Sequence, residues 1–156
     1  MRTLIAIDPG VSGGIAWRTT WGEVNARKMP ETDGDMVQLL TGLHAPGAGA
    51  TLWVEEIPKF TGTNIPSSSM FVLARNFGVI EGIAMAMGMP VRRVKPAAWQ
   101  KPLGLGTARA CGSKAEWKNK LKAEAQRRFP MLSVTLATAD ALLILEHARK
   151  EESPGA

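Results

Sequence analysis

Three short strand-like segments fill the first 28 residues, and from residue 33 onward helix-period and strand-like segments alternate. That switch constrains the fold more than any other feature of the chain. A meander of strands followed by alternating elements predicts an α/β fold built on a mixed sheet, with helices on both faces. Thr3 to Ile7 is β-branched and alternating, and stops at Asp8-Pro9-Gly10. Gly13 to Arg18 and Glu23 to Lys28 read as the next two strands. Apolar residues at Met36, Val37, Leu39, Leu40 and Leu43 give Asp33–Leu43 a helical period. A Gly/Ala/Pro loop at 45–50 leads to a fourth strand, Thr51 to Ile57, ended by Pro58. Residues 58–69 carry no period and read as a loop, Ser69 to Met87 as a long helix, and Pro90 to Val94 as a fifth strand. Pro96 to Trp99 starts a helical turn, and 103–112 is a Gly-containing loop. Ser113 with Glu116 forms a capping box before a helix to about Phe129. A last helix is expected over Thr138 to Lys150. Residues 1–150 make one domain, and the polar tail 151–156 is expected to be disordered.

Composition narrows the class. With 45% hydrophobic and 21% charged residues the chain has the make-up of an ordinary globular protein. The longest uninterrupted apolar runs, such as Gly82 to Val91, are too short and Gly-rich to span a bilayer, so no membrane partner is expected. The chain opens directly into a strand, and its one cysteine, Cys111, excludes an internal disulfide or a cysteine metal cluster. The expected location is cytoplasmic: nucleoid-associated, or host cytoplasm if phage-encoded. Charge is unevenly spread. From Arg92 to Arg128 there are eleven Lys or Arg against two acids, a local +9; the total is +5, so the remainder carries −4. A basic block on a mildly acidic chain fits a polyanionic partner, or equally a solvated helix face.

Three acids stand at the ends of apolar elements. Asp8 follows Leu4 to Ile7, with Pro9, Gly10, Gly13 and Gly14 leaving space around it. Glu55 follows Leu52-Trp53-Val54, and strand alternation points the adjacent Glu56 to the opposite face. Asp140 is expected in the first turn of the last helix, where the helix dipole favours a negative charge. Singly, each has a plainer reading: a turn residue, a strand-end surface acid, a dipole residue. Together they make a candidate hard-cation site, since Mg²⁺ needs few carboxylates when waters and substrate phosphates complete its shell.

The series of motifs resembles the RuvC-type Holliday junction resolvases of the ribonuclease H-like superfamily, and runs from residue 3 to about 147 in collinear order. Ile5-Ala6-Ile7-Asp8-Pro9-Gly10 with Gly13-Gly14-Ile15-Ala16 is similar to that family's opening strand and return. Trp53-Val54-Glu55-Glu56 resembles its fourth-strand acidic motif. Ser67-Ser68-Ser69-Met70-Phe71 with Asn76-Phe77-Gly78 and Gly82 is similar to the helix that follows. Val94-Lys95-Pro96-Ala97-Ala98-Trp99-Gln100-Lys101 resembles the Val-x-Pro-x-x-Trp-Lys segment, Lys114 with Ala125 to Pro130 the helix ending in Phe-Pro, and Ala139-Asp140-Ala141-Leu142 the closing Ala-Asp-Ala-Leu. One departure matters. Relatives carry a further acid or histidine three or four residues before the closing Asp, where this chain has Ala137 and Leu136. Glu146 does not share the face of Asp140, His147 lies about 10 Å along the axis, and Thr135 or Thr138 offers only a weak hydroxyl ligand.

The resemblance implies a ribonuclease H-like fold with a five-stranded mixed sheet. It implies a metal-dependent endonuclease that resolves four-way junctions by paired phosphodiester hydrolysis. It implies two Mg²⁺ or Mn²⁺ ions per active site, bridged by Asp8 and held separately by Glu55 and Asp140. Branched DNA is the expected partner, with Lys59, Phe60, Lys95, Lys101, Lys114 and Lys118 as contact residues and binding that weakens with salt. Lys59 and Phe60 sit where the family's junction-probing loop lies, and Phe60 there either stacks on an unpaired base or anchors the loop. Trp99 and Trp117 read as core. A homodimer is implied, with Ala74, Gly78, Gly82 and Ala86 forming a small-residue stripe that packs either across a dimer axis or on its own sheet. Two other readings compete: a branched-DNA nuclease of broader specificity, and a junction-binding protein that does not cut.

Overall fold

Strands β1 (Thr3–Ile7), β2 (Gly14–Arg18), β3 (Val24–Lys28), β4 (Ala50–Glu55) and β5 (Val91–Val94) form one sheet in the order β3-β2-β1-β4-β5. The computed structural model describes residues 2–44, 47, 49–57 and 66–153. β1 pairs antiparallel with β2 and β2 with β3, whereas β1–β4 and β4–β5 are parallel. The meander predicted from the first segments is therefore antiparallel, and each later strand returns through a helix, as parallel pairing requires. β1 is central and buried along its whole length, which explains its unbroken apolar sequence.

Alternation along the strands builds two cores. Leu4, Ala6, Ala16, Trp53 and Val94 face α3 (Pro96–Gln100), α4 (Lys114–Arg128) and α5 (Leu136–Glu152), and pack with Trp99, Trp117, Leu121, Leu142 and Ile144. Ile5, Ile7, Ile15, Leu52 and Val54 face α1 (Asp33–Leu43) and α2 (Ser67–Ala86), and pack with Met36, Leu40, Ile80 and Ala84. Helices on both faces are as expected. By the same parity, Asp8 and Glu55, next in line after Ala6 and Trp53, belong to the α4–α5 side.

The helix ends differ from expectation. The last helix starts at Leu136, two residues before Thr138, because Thr135 and Thr138 cap each other reciprocally. A threonine takes the place that Glu or Gln holds in the usual box, so the start carried no familiar signal. Asp140 consequently lies in the second turn, and the first turn holds no acid. The dipole does not account for its charge.

The same helix continues to Glu152, whose carboxylate accepts a 2.9 Å bond from the Trp53 indole N–H, so 151–152 are helical rather than tail. Residues 154–156 lie outside the described residues.

Helix α2 begins at Ser67 and is long and apolar enough, by length and composition, to cross a membrane, although polar residues such as Arg75, Asn76 and Glu81 interrupt its apolar run. Only Ile80 and Ala84 are buried. The stripe of Ala74, Gly78, Gly82 and Ala86 is exposed, and a Cβ added at Gly78 or Gly82 meets nothing within 4 Å. The stripe does not pack on its own sheet. Phe71, 71% exposed, and Met85, 72% exposed, stand on the same helix.

Candidate active site

The site begins where β1 ends. Asp8 donates its N–H to the Gly14 carbonyl at 3.0 Å, and its Oδ1 accepts the Gly10 N–H at 3.1 Å, so the turn Pro9–Gly13 folds back over the carboxylate. Gly13 makes this possible. A Cβ there falls 2.3 Å from the Asp8 carbonyl oxygen and 2.9 Å from Asp8 Cγ.

Parallel pairing sets Ile7 beside Val54, which puts Glu55 level with Asp8 on the neighbouring strand. Glu55 Oε2 accepts a 2.7 Å bond from the indole N–H of Trp99, itself 1% exposed. A buried indole N–H needs an acceptor, and here the acceptor is the strand-end glutamate. Trp99 is core, as expected, and also holds a site residue.

Asp140 arrives from α5 and is 3% exposed. Its Oδ2 accepts a bond from the Lys118 ammonium, and its Oδ1 is buried with no partner. Gly14 lets α5 come this close, since a Cβ there would lie 2.4 Å from the Ala137 carbonyl oxygen.

Each of the three carboxylates thus has one oxygen held by the protein: Asp8 by a backbone N–H, Glu55 by an indole, Asp140 by an ammonium. Among the described residues the second oxygen of each takes no hydrogen bond. They also repel one another. Burial first, and then the charge of Asp140, raises the Asp8 carboxyl above the usual range. Burial and then Asp8 push Glu55 up to about 7. For Lys118, burial works against the charged form, but Asp140, Asp8 and Glu55 outweigh it and raise the ammonium. Asp8 and Glu55, two buried acids that resist ionisation side by side, are groups that a positive ion would stabilise.

A divalent metal fits the donor set: hard oxygens, three free acceptors, and a buried orphan at Asp140 Oδ1. As the side chains stand, no three His, Cys, Asp or Glu groups among the described residues are arranged to enclose an ion. The nearest thing to a bound cation is Lys118.

Beside the cluster lies a cleft of about 640 Å³, lined by the turn Gly10–Gly13, by Ser68, Ser69, Val72 and Leu73 at the start of α2, and by Lys114, Lys118 and Leu136. Lys114 is exposed at its mouth. Of the expected DNA contacts, Lys95 precedes α3 and Lys101 follows it, both exposed and away from this cleft. Lys59 and Phe60 lie outside the described residues. Lys118 is the surprise: it joins the acids rather than a free basic face. The sequence signal was its place one turn after Lys114, and only the packing of α4 on α5 shows which group it meets.

Glu55 predicts a pH effect on stability. Its folded value, about 7, lies above its ordinary 4.5, so the folded state keeps a proton that the unfolded state has lost. The stabilisation is complete below 4.5 and disappears as pH rises through about 7. In EDTA the melting temperature should fall between these limits. Glu55→Gln should flatten the fall, and an unchanged slope would contradict the assignment.

A mixed sheet in this strand order, with acids at the ends of β1 and β4 and on the last helix, is the ribonuclease H-like fold. Within it, the chain has a RuvC-like fold. It is similar to a structure of Thermus thermophilus RuvC, with 20% identity over 96% of each chain and a TM-score of 0.57. It is also similar to T. thermophilus RuvC in complex with a Holliday junction substrate, with 16% identity over 96% of each chain and a TM-score of 0.59. No family model and no curated protein matches the sequence.

Proposed function

We propose that the chain is a metal-dependent DNA endonuclease that resolves four-way junctions. The observation that carries this reading is the convergence of Asp8, Glu55 and Asp140, each with a free oxygen, beside a cleft lined by Lys114 and Lys118. Similarity in fold to a RuvC bound to a Holliday junction substrate supports the same substrate class. Asp8, Glu55 and Asp140 would hold Mg²⁺ or Mn²⁺, which supplies a Lewis acid at the phosphoryl group and lowers the pKa of water. The chain's own residues do the rest. Trp99 fixes Glu55, the Gly10 N–H fixes Asp8, and Lys118 fixes Asp140, so the free oxygens are aimed before substrate arrives. Lys114 draws a phosphate into the cleft, and Lys95 and Lys101 extend the positive surface.

A four-way junction offers two equivalent strands, so two chains suit it. The exposed apolar face of α2, with its stripe of small residues flanked by Phe71 and Met85, fits a second copy of itself. Phe71→Glu should turn a dimer into a monomer in sedimentation while leaving the circular dichroism unchanged. A variant that sediments like the wild type would remove this face from the interface.

Cleavage of labelled four-way junction, fork and linear duplex, each with Mg²⁺, Mn²⁺ or EDTA, tests the function. Metal-dependent cutting of the junction supports it, and equal cutting of all three points to the broader branched-DNA nuclease. Lys118 on Asp140, with Ala137 one turn before, favours one other reading, a protein that binds junctions without cutting. Tight binding with no cleavage in either metal would select it.

A further inference from the structure

Lys118 sits where a cation belongs. Three carboxylates interact at the end of β1, although among the described residues no three His, Cys, Asp or Glu groups, these included, are arranged to enclose an ion as the side chains stand. One turn before Asp140 on the same helical face stand Leu136 and Ala137, which offer no donor. Ionised as metal ligands must be, the three acids carry −3, and the Lys118 ammonium brings the cluster to −2 before any DNA phosphate enters. One divalent ion neutralises that; two would leave +2 in a half-buried site beside an ammonium, a large penalty where water is scarce. The oxygens give the same count. Asp8 Oδ1, Glu55 Oε2 and Asp140 Oδ2 each already accept a hydrogen bond, so the oxygens with no protein partner are one on each acid, three in all. These suit one ion whose shell water and phosphate complete, while a second would draw on oxygens already engaged.

We propose that this centre takes a single divalent ion, held by Asp8, Glu55 and Asp140 Oδ1, and that the Lys118 ammonium on Asp140 Oδ2 stands permanently in place of a second. The inference rests on the reading of the cluster as a divalent-cation site. It replaces the pair of ions that the sequence resemblance implies with one ion and one built-in charge. Lys118 is held to this position by α4, whose Trp117 and Leu121 are buried against the α5 side of the sheet. Its side chain is 36% exposed, so its charged end reaches the acids from the cleft and remains open to a phosphate.

Mn²⁺ titration of the purified protein, with free Mn²⁺ counted by electron paramagnetic resonance, tests the proposal without any activity. The wild type should bind one Mn²⁺ per chain, and Lys118→Arg should do the same. Lys118→Met should bind its first Mn²⁺ at least about tenfold more tightly, because a positive charge has left the site, and should admit a second. Two ions per chain in the wild type would overturn the proposal, whatever the variants do. One ion at unchanged affinity in Lys118→Met would overturn it as well, and both outcomes leave the divalent-cation reading standing. No Mn²⁺ on any of the three proteins would instead remove that reading and the inference with it. Asp140 loses its partner in Lys118→Met, so a melt with and without Mn²⁺ accompanies the titration. A larger Mn²⁺-induced rise in melting temperature than in the wild type is expected, and an equal rise counts against the proposal.

Discussion

Asp8→Asn should reduce junction cleavage by more than about a hundredfold, the upper end of what loss of a mere supporting partner costs a metal site, while junction affinity holds. Asparagine preserves the shape of the turn, since its Oδ1 can still accept the Gly10 N–H that Asp8 accepts at 3.1 Å. What it removes is the charge. Asp8 is raised first by burial and then by Asp140, so its ionised form is a cost that the fold bears in the absence of metal. The variant should therefore melt higher than the wild type in EDTA and gain less from Mn²⁺. That opposite movement of stability and activity marks a functional group rather than a structural one. A variant that loses junction binding and cleavage together, or that melts lower, would mean Asp8 serves the turn alone.

Gly14→Ala should be, with Gly13→Ala, among the most damaging small substitutions in the described residues. A Cβ at Gly14 lies 2.4 Å from the Ala137 carbonyl oxygen and 2.9 Å from the Arg27 carbonyl oxygen. Both are backbone atoms, so no rotamer change relieves the contact. Either α5 lifts off β2 or the β2–β3 pair opens. The expected cost is about 2–4 kcal/mol, at and beyond the top of the usual overpacking range, or roughly 5–15 °C in melting temperature. The effect reaches the site because the displaced turn of α5 is the one leading to Asp140. Mn²⁺ affinity should fall along with stability. A melting temperature within a degree or two of wild type would show that α5 does not approach β2 this closely.

Strand parity made much of the site legible. Thr3–Ile7 and the run before Glu55 are short, apolar and end in breakers, so where they stop, and which way the next side chain points, follow from a period of two. The strand-end positions of Asp8 and Glu55 follow from it. The first-turn position expected for Asp140 does not hold, because helix α5 begins two residues earlier than its apolar pattern suggests and the Thr135–Thr138 box is silent in sequence. The resemblance of Ala139-Asp140-Ala141-Leu142 does not depend on that position. The true partner of Asp140, Lys118, is 22 residues away in the chain and meets it only because α4 packs along α5. Nothing in the spacing of Lys114, Lys118 and Lys122 distinguishes the one that turns inward. Trp99 shows the same limit from the other side. Its burial could be read from its neighbours, but the direction of its N–H depends on how α3 leaves β5. The stripe on α2 was visible as small residues every four positions, yet only its exposure separates an outward face from one packed on the sheet.

The most direct test of the central claim is to map the nicks on a four-way junction labelled on each strand in turn, in Mg²⁺ and in Mn²⁺. The account predicts two symmetric nicks on opposed strands at the crossover, absent in EDTA and absent with Asp8→Asn. Nicks scattered along the arms, or cutting that survives removal of the metal, would contradict it.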